Sequence, residues 1–123
     1  MFSLHRFIRS FQFALRGIAW SFQSEQNLRV QCIVGVCALA LAVWLRVPAS
    51  HVALLVLVIT FVLVLELVNT AWERTLDLLH PGLSPAVKAI KDLIAAFVLI
   101  ASVGALIVGI ILLSPPVVER WFS

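Results

Sequence analysis

From Leu93 to Leu113 the chain runs for 21 residues without a charge, enough helix to cross the roughly 30 Å hydrocarbon core of a bilayer. Two further apolar stretches precede it. Residues 28–46 carry Gln31 as the one polar residue between Val30 and Leu45. Residues 51–72 are apolar after His51 except for Thr60, Glu66, Asn69 and Thr70. Only helices or closed barrels satisfy every backbone N–H and C=O in hydrocarbon, and runs of this length and composition are helical spans. The sequence predicts an all-α integral membrane protein with spans at about 28–46, 51–72 and 92–113. With 63% hydrophobic residues in a chain of 123, against about 45–50% in soluble domains, one small domain over residues 1–123 could not cover its own core in water.

The turn-forming residues agree with this division. Arg46 to Ser50 makes a tight connection between spans one and two, and Ser114-Pro115-Pro116 is expected to stop span three. His80-Pro81-Gly82-Leu83-Ser84-Pro85 is a turn-rich break, with Ser84 or Pro85 suited to opening the next helix. Ser102, Gly104 and Gly109 are the small or polar members of span three, a type that marks helix contacts in membranes, but the two glycines miss the four-residue spacing of the dimer motif.

Before the first span lies a segment of different character. At 100° per residue, Leu4, Phe7, Ile8, Phe11, Leu15, Ile18 and Phe22 share one arc, with His5, Arg6, Arg9, Gln12 and Arg16 opposite. This pattern, over about residues 4–27, predicts an amphipathic helix lying at the membrane surface. Phe13 and Trp20 fall on its polar side and require a partner. Arg6, Arg9 and Arg16 interrupt any apolar signal core, so the segment is expected to remain on the chain.

Charge sets the expected orientation. Net charge is +3, with Arg6, Arg9, Arg16, Arg29, Arg74, Lys88 and Lys91 on one side of the spans against Arg46 and Arg120 on the other. The positive-inside rule puts the amino end and the 73–92 connection in the cytoplasm. The basic amino end suits anionic lipid headgroups, whereas nucleic-acid binding needs a broader basic surface. Cys32 and Cys37 lie on different helix faces without ligand companions, and are expected to be small buried hydrophobes rather than a disulfide.

The chemistry starts at Glu66. A carboxylate inside an apolar run costs from about 2.5 kcal/mol upward unless it finds water or a partner. Asn69, Glu73 and Asp77 follow it at i+3, i+7 and i+11, within roughly 80° of one helix face. Three carboxylates and an amide on one face repel unless a cation sits among them, and an oxygen-only set favours Mg²⁺. Zinc does not fit, because His51 belongs to the opposite membrane surface. Glu25 with Arg29, and Lys91 beside Asp92, lie at the same level. Carboxylates with Lys and Arg at the membrane boundary could hold a metal-bound polyphosphate beside a lipid headgroup, which points to phosphoryl transfer onto a lipid.

Taken singly, these features have plainer accounts. Glu25 and Arg29 would form a helical ion pair, Asp77 or Asp92 would cap or solvate a loop, Glu66 would be a polar contact between spans, and Phe13 and Trp20 would anchor at the interface. A non-catalytic small membrane subunit or ion-conducting oligomer would also carry an intramembrane acid.

The segment Glu66-Leu67-Val68-Asn69-Thr70-Ala71-Trp72-Glu73-Arg74-Thr75-Leu76-Asp77 resembles the signature of the prokaryotic diacylglycerol kinase family, which includes the undecaprenol kinases. Arg16-Gly17, Glu25-x-Asn27-x-Arg29 and the stretch from His80 through Lys88, Lys91 and Asp92 extend the likeness over nearly the whole chain. The resemblance implies a homotrimer of three-span subunits in a bacterial inner membrane. It also implies transfer of the ATP γ-phosphoryl group to a lipid hydroxyl with Mg²⁺, at sites between subunits. By position, Glu66 would be the general base, and Glu25 and Glu73 would hold Mg²⁺ with the nucleotide. Asn69, Asp77, Lys91 and Asp92 would bind or orient ATP, with Arg6 and Phe13 as further nucleotide contacts. Depth agrees with those roles: a carboxylate in low dielectric is a better proton acceptor, and Glu66 is the deepest acid. Trp72 and Leu93-Ile94 depart from the usual smaller residues and bear on the lipid pocket. Asn27 and Thr70 lean toward undecaprenol, while the general family label is diacylglycerol.

Overall fold

The computed structural model describes residues 1–82 and 84–123. Ser3 opens the first helix, α1 (Leu4–Ser24), its hydroxyl accepting from the Arg6 N–H at 3.5 Å. The helix ends at Glu25, whose backbone is extended (φ −111°, ψ 113°), and α2 (Gln26–Trp44) begins at the next residue. Glu25 is thus a one-residue elbow, and the amphipathic helix stops short of the expected residue 27. Arg29 secures the bend by donating to the carbonyls of Phe22 at 2.9 Å and Gln23 at 2.8 Å. A cation at a helix C-terminus satisfies orphan carbonyls and suits the dipole. The plainer reading of Glu25 and Arg29 as a helical ion pair does not hold: the Arg29 N–H reaches the Glu25 C=O at 3.4 Å, but its guanidinium is turned to the α1 carbonyls instead.

α2 closes in a Schellman turn: Val47 N–H reaches Ala42 C=O at 3.2 Å and Arg46 N–H reaches Val43 C=O at 3.1 Å. Arg46 occupies the left-handed position at φ 54°, where a non-glycine residue costs about 1 kcal/mol. Pro48 then caps α3 (Ala49–Leu79), and Ser84 with Pro85 at N1 opens α4 (Pro85–Phe122), as the missing proline N–H allows. The connection between α3 and α4 is therefore shorter than the 73–92 segment, and Asp77, Lys91 and Asp92 are all helical.

α3 is the central helix, packed on α4 and α2 and touched by α1. Leu55, Val62 and Leu76 of α3 are buried with Leu28 and Ala42 of α2 and Val87, Ile94 and Val98 of α4. Gly35 sets the α2–α3 spacing. A Cβ there would lie 2.8 Å from Ile59 Cγ2, so the helices meet closer than any side chain permits. The three helices α2, α3 and α4 are each long and apolar enough to cross a membrane. Their outward residues, among them Leu57, Phe61, Leu99, Ile100, Leu106 and Ile111, are exposed and left for hydrocarbon to cover. Cys37 is among the exposed positions and Cys32 is half-buried, and both are free thiols. Cys37 faces out because the α2 surface that meets α3 is the one carrying Gly35 and Ala42.

Span three does not stop at Pro115-Pro116; the helix continues through both prolines to Phe122. A proline withholds its own N–H and crowds the i−4 carbonyl, a cost of about 3 kcal/mol in a helix interior. Contacts beyond the prolines work against that cost. The Arg120 guanidinium stacks over the Trp44 ring at 4.6 Å, and Trp44 and Trp121 lie 6.1 Å apart, tying the last turns of α4 to the end of α2.

Candidate active site

Glu66 is 2% exposed on α3, and the group that meets it comes from α2. Gln31 Nε2 donates to Glu66 Oε2 at 3.0 Å. One turn on, the Thr70 hydroxyl donates to the Glu66 carbonyl at 3.0 Å, an i−4 bond that keeps this buried hydroxyl satisfied within its own helix. Asn69 is 8% exposed, and its Oδ1, like Gln31 Oε1, is buried without a partner among the described residues. A buried amide oxygen without a donor costs about 1–3 kcal/mol unless a ligand or water supplies one.

The elbow brings the Glu25 carboxylate from the α1–α2 junction to α3, where it meets Arg74, the residue after Glu73, although Glu25 and Arg74 lie 49 positions apart in the sequence. Arg74 Nη2 contacts Glu25 Oε1 at 3.4 Å, and its guanidinium stacks on Trp20 at 5.0 Å. Trp20 thereby finds its partner on the polar side of α1. Phe13 finds two on its own helix, Arg9 at 5.6 Å and Arg16 at 5.8 Å. Glu73 is half-buried and has no ion-pair partner among the described residues.

Further out, α3 and α4 are bridged by charge. Lys91 Nζ donates to Asp77 Oδ1 at 2.5 Å, and Lys88 Nζ to Asp92 Oδ2 at 2.8 Å. The bond and charge of Asp92 push the Lys88 ammonium above the usual lysine range, so it stays cationic. Asp92 therefore pairs within a helix rather than capping one. Arg6 and Phe13 are exposed on α1, and no side-chain hydrogen bond joins either to the carboxylates among the described residues. Phe13 lies 12 residues before Glu25, about 18 Å along a helix.

The arrangement is graded by depth. A buried acid with one oxygen held by an amide lies innermost, two carboxylates with an arginine lie above it, and two lysine–carboxylate pairs lie outermost. Gln31, Arg74 and Lys88 were not expected as site residues. Gln31 was findable: it is the lone polar residue of an apolar span, the same signal that singled out Glu66.

The comparisons with known proteins decide the family. The model of the prokaryotic diacylglycerol kinase family matches residues 12–113. The chain belongs to that family. It is 37% identical over 89% of its length to a diacylglycerol kinase of Synechocystis sp., and spans 63% of that protein. It is 31% identical to an undecaprenol kinase of Bacillus subtilis, with 91% of each chain covered, and 29% identical to a diacylglycerol kinase of Escherichia coli, with 88% of each covered. All three relatives carry the names of lipid kinases.

Proposed function

We propose that this family member is a lipid kinase that moves the γ-phosphoryl group of ATP onto the hydroxyl of diacylglycerol or undecaprenol, at the end of the bundle where α1 meets the spans. The observation that carries this reading is the buried Glu66 carboxylate, held by one amide and placed below the level of Glu25 and Glu73. A lipid hydroxyl reaches that depth from hydrocarbon and a nucleotide reaches the outer level from water. Glu66 accepts the hydroxyl proton as the lipid oxygen bonds to the γ-phosphorus. The bond from that phosphorus to the β,γ-bridging oxygen breaks, and ADP leaves with the electron pair. Gln31 keeps one carboxylate oxygen fixed, which limits the orientations of the other.

Glu25 and Glu73 fit Mg²⁺ as hard oxygen donors at a level open to water. No group of three His, Cys, Asp or Glu side chains able to hold a metal occurs among the described residues. Two carboxylates with the remaining ligands from phosphate and water match the way Mg²⁺ is usually held. When bound, the ion supplies positive charge against the phosphate oxygens. Asn69, Asp77, Lys91 and Asp92 orient the nucleotide, with the unpartnered Asn69 Oδ1 free to accept from it. Arg6 and Phe13 join only by meeting a nucleotide beyond the chain's own cluster, as in a homotrimer whose sites lie between subunits. The excess of basic residues at the amino end and near the α3–α4 connection supports an orientation with this face toward the cytoplasm of a bacterial inner membrane. Residues 1–123 act as one domain.

Purified protein in bilayers, given γ-labelled ATP and Mg²⁺, is expected to label diacylglycerol, undecaprenol or both, and extraction of the product identifies the acceptor. Wild-type protein that labels neither, or a Glu73→Gln variant with full activity, refutes the reading. A non-catalytic subunit predicts no nucleotide dependence at all.

A further inference from the structure

The end of the bundle away from Glu66 carries a second concentration of charge. Trp44 lies 13 residues after Gln31, the α2 partner of Glu66, about 20 Å along the helix, so this end is separate from the candidate active site. A cavity of about 470 Å³ opens there, lined by Val43, Trp44, Leu45, Arg46 and Arg120. Two arginines from different segments thus contribute to one cavity, and no carboxylate lines it. Neither has an ion-pair partner among the described residues. Glu119, the one acidic side chain at this end, lines an adjoining cavity of about 570 Å³ with Trp121. Like charges gathered without a counter-ion repel, and here both arginines are also held at a local cost. Arg46 takes the left-handed backbone position that glycine fills freely, and Arg120 reaches the cavity only because α4 continues through Pro115 and Pro116. Its guanidinium lies over the Trp44 ring at 4.6 Å, which fixes its place.

We propose that Arg46 and Arg120 bind the phosphate of an anionic phospholipid headgroup, in the leaflet at the far end from Glu66. A planar guanidinium donates two parallel N–H groups to a pair of phosphate oxygens, and one anion shared by two arginines removes their repulsion. The surroundings of the cavity favour lipid over free phosphate. Val43 is 65% exposed on the α2 surface left for hydrocarbon, and it lines the cavity with Leu45, so acyl chains can run from the headgroup directly along α2. Trp44 and Trp121, 6.1 Å apart, are of the side-chain type that settles at the headgroup level. A headgroup with net negative charge, such as that of phosphatidylglycerol, balances the two cations, whereas one carrying its own ammonium would be repelled by them.

Arg46→Gly and Arg120→Gln separate binding from folding. Glycine relieves the left-handed position, so Arg46→Gly is expected to match or exceed the wild-type Tm in phosphatidylcholine vesicles, and glutamine keeps part of the stem beside Trp44. Phosphatidylglycerol held by the full chain is counted by native mass spectrometry from neutral detergent, and its affinity is read from the rise in Tm as it is titrated into phosphatidylcholine. Wild type is expected to hold one phosphatidylglycerol that each variant binds about tenfold more weakly, the scale of a hydrogen bond to a charged group. Arg120→Lys keeps the charge without the planar fork and is expected to fall between. The basic face of α1 also attracts anionic lipid, so Arg9→Gln is the contrast and is expected to leave the tightly held lipid in place. Unchanged phosphatidylglycerol affinity in Arg46→Gly and Arg120→Gln overturns the proposal, and so does an equal loss in Arg9→Gln, which would reduce the effect to overall charge. Equal binding of phosphatidylethanolamine overturns it by removing the need for net negative charge. An equal rise in Tm with inorganic phosphate in phosphatidylcholine vesicles overturns it by removing the need for lipid.

Discussion

Replacing Glu66 with Gln separates proton acceptance from structure. The amide keeps an oxygen for the 3.0 Å bond from Gln31 Nε2 and nearly the same volume, so packing around this buried position is preserved. A hydrogen bond to a charged group is worth about 1.5–3 kcal/mol and a neutral one about 0.5–1.5, so roughly 1 kcal/mol is lost. Against that, a charge buried at 2% exposure disappears, and with it the cost of keeping it from water and its repulsion by Glu73. Glu73 lies seven residues along the helix, about 10 Å, where two like charges at an effective dielectric of 20 repel by roughly 1.7 kcal/mol. The two effects nearly cancel, and Tm is expected to stay within about 5 °C of wild type. Catalysis has no such compensation, because a neutral amide cannot take the hydroxyl proton. General-base loss costs about 10²–10⁴ in kcat, equivalent to about 2.7–5.4 kcal/mol. Labelled phosphate transfer at saturating lipid and ATP gives kcat, and thermal unfolding followed by Trp fluorescence gives Tm. The KM for ATP is expected to hold. A kcat within threefold of wild type refutes Glu66 as the base, and so does lost activity accompanied by a collapse in Tm.

Gly35→Ala forces a methyl against Ile59 Cγ2 and is expected to destabilise by about 1–3 kcal/mol; adding Ile59→Ala should recover part of the lost Tm, and the absence of any recovery would place the clash elsewhere. Arg74→Met removes both the Glu25 contact and the Trp20 stack, each worth about 0.5–1 kcal/mol at an exposed site, and is expected to make α1 more accessible to protease. Arg74→Lys should rescue this only in part, since an ammonium cannot stack as a planar guanidinium does. Chelation of divalent metal is expected to abolish phosphate transfer and leave Tm unchanged, because no metal-holding cluster of three such side chains builds the fold among the described residues; a large loss of Tm would show a structural ion instead.

The spans were legible because hydrocarbon imposes a rule that sequence cannot evade: long uncharged runs, each backbone group satisfied within its own helix. The ends were less legible, because they depend on contacts between segments. Glu25 reads as a helical residue with an ordinary i+4 partner, and nothing local announces an elbow. The break becomes visible only when Arg29 is seen capping α1 and Arg74 is seen holding Glu25 from another helix. Pro115-Pro116 erred the other way. A local stop signal gave way to the tie between Trp44 and the Arg120–Trp121 turn, a contact between residues more than 70 positions apart.

The site divides along the same line. Glu66, Asn69, Glu73 and Asp77 share a helix, so their common face follows from periodicity alone, and the buried Glu66 and Asn69 show which way that face points. The partners that give the stripe its chemistry sit on α2 and α4, where no spacing rule reaches them. Gln31 is the instructive case. Alone in an apolar span it reads as one tolerable amide; beside a buried carboxylate its Nε2 holds the acid, while its Oε1 is buried without a partner among the described residues. A polar side chain in hydrocarbon costs free energy wherever it stands, so two of them on neighbouring helices at matching depth are best read as a pair.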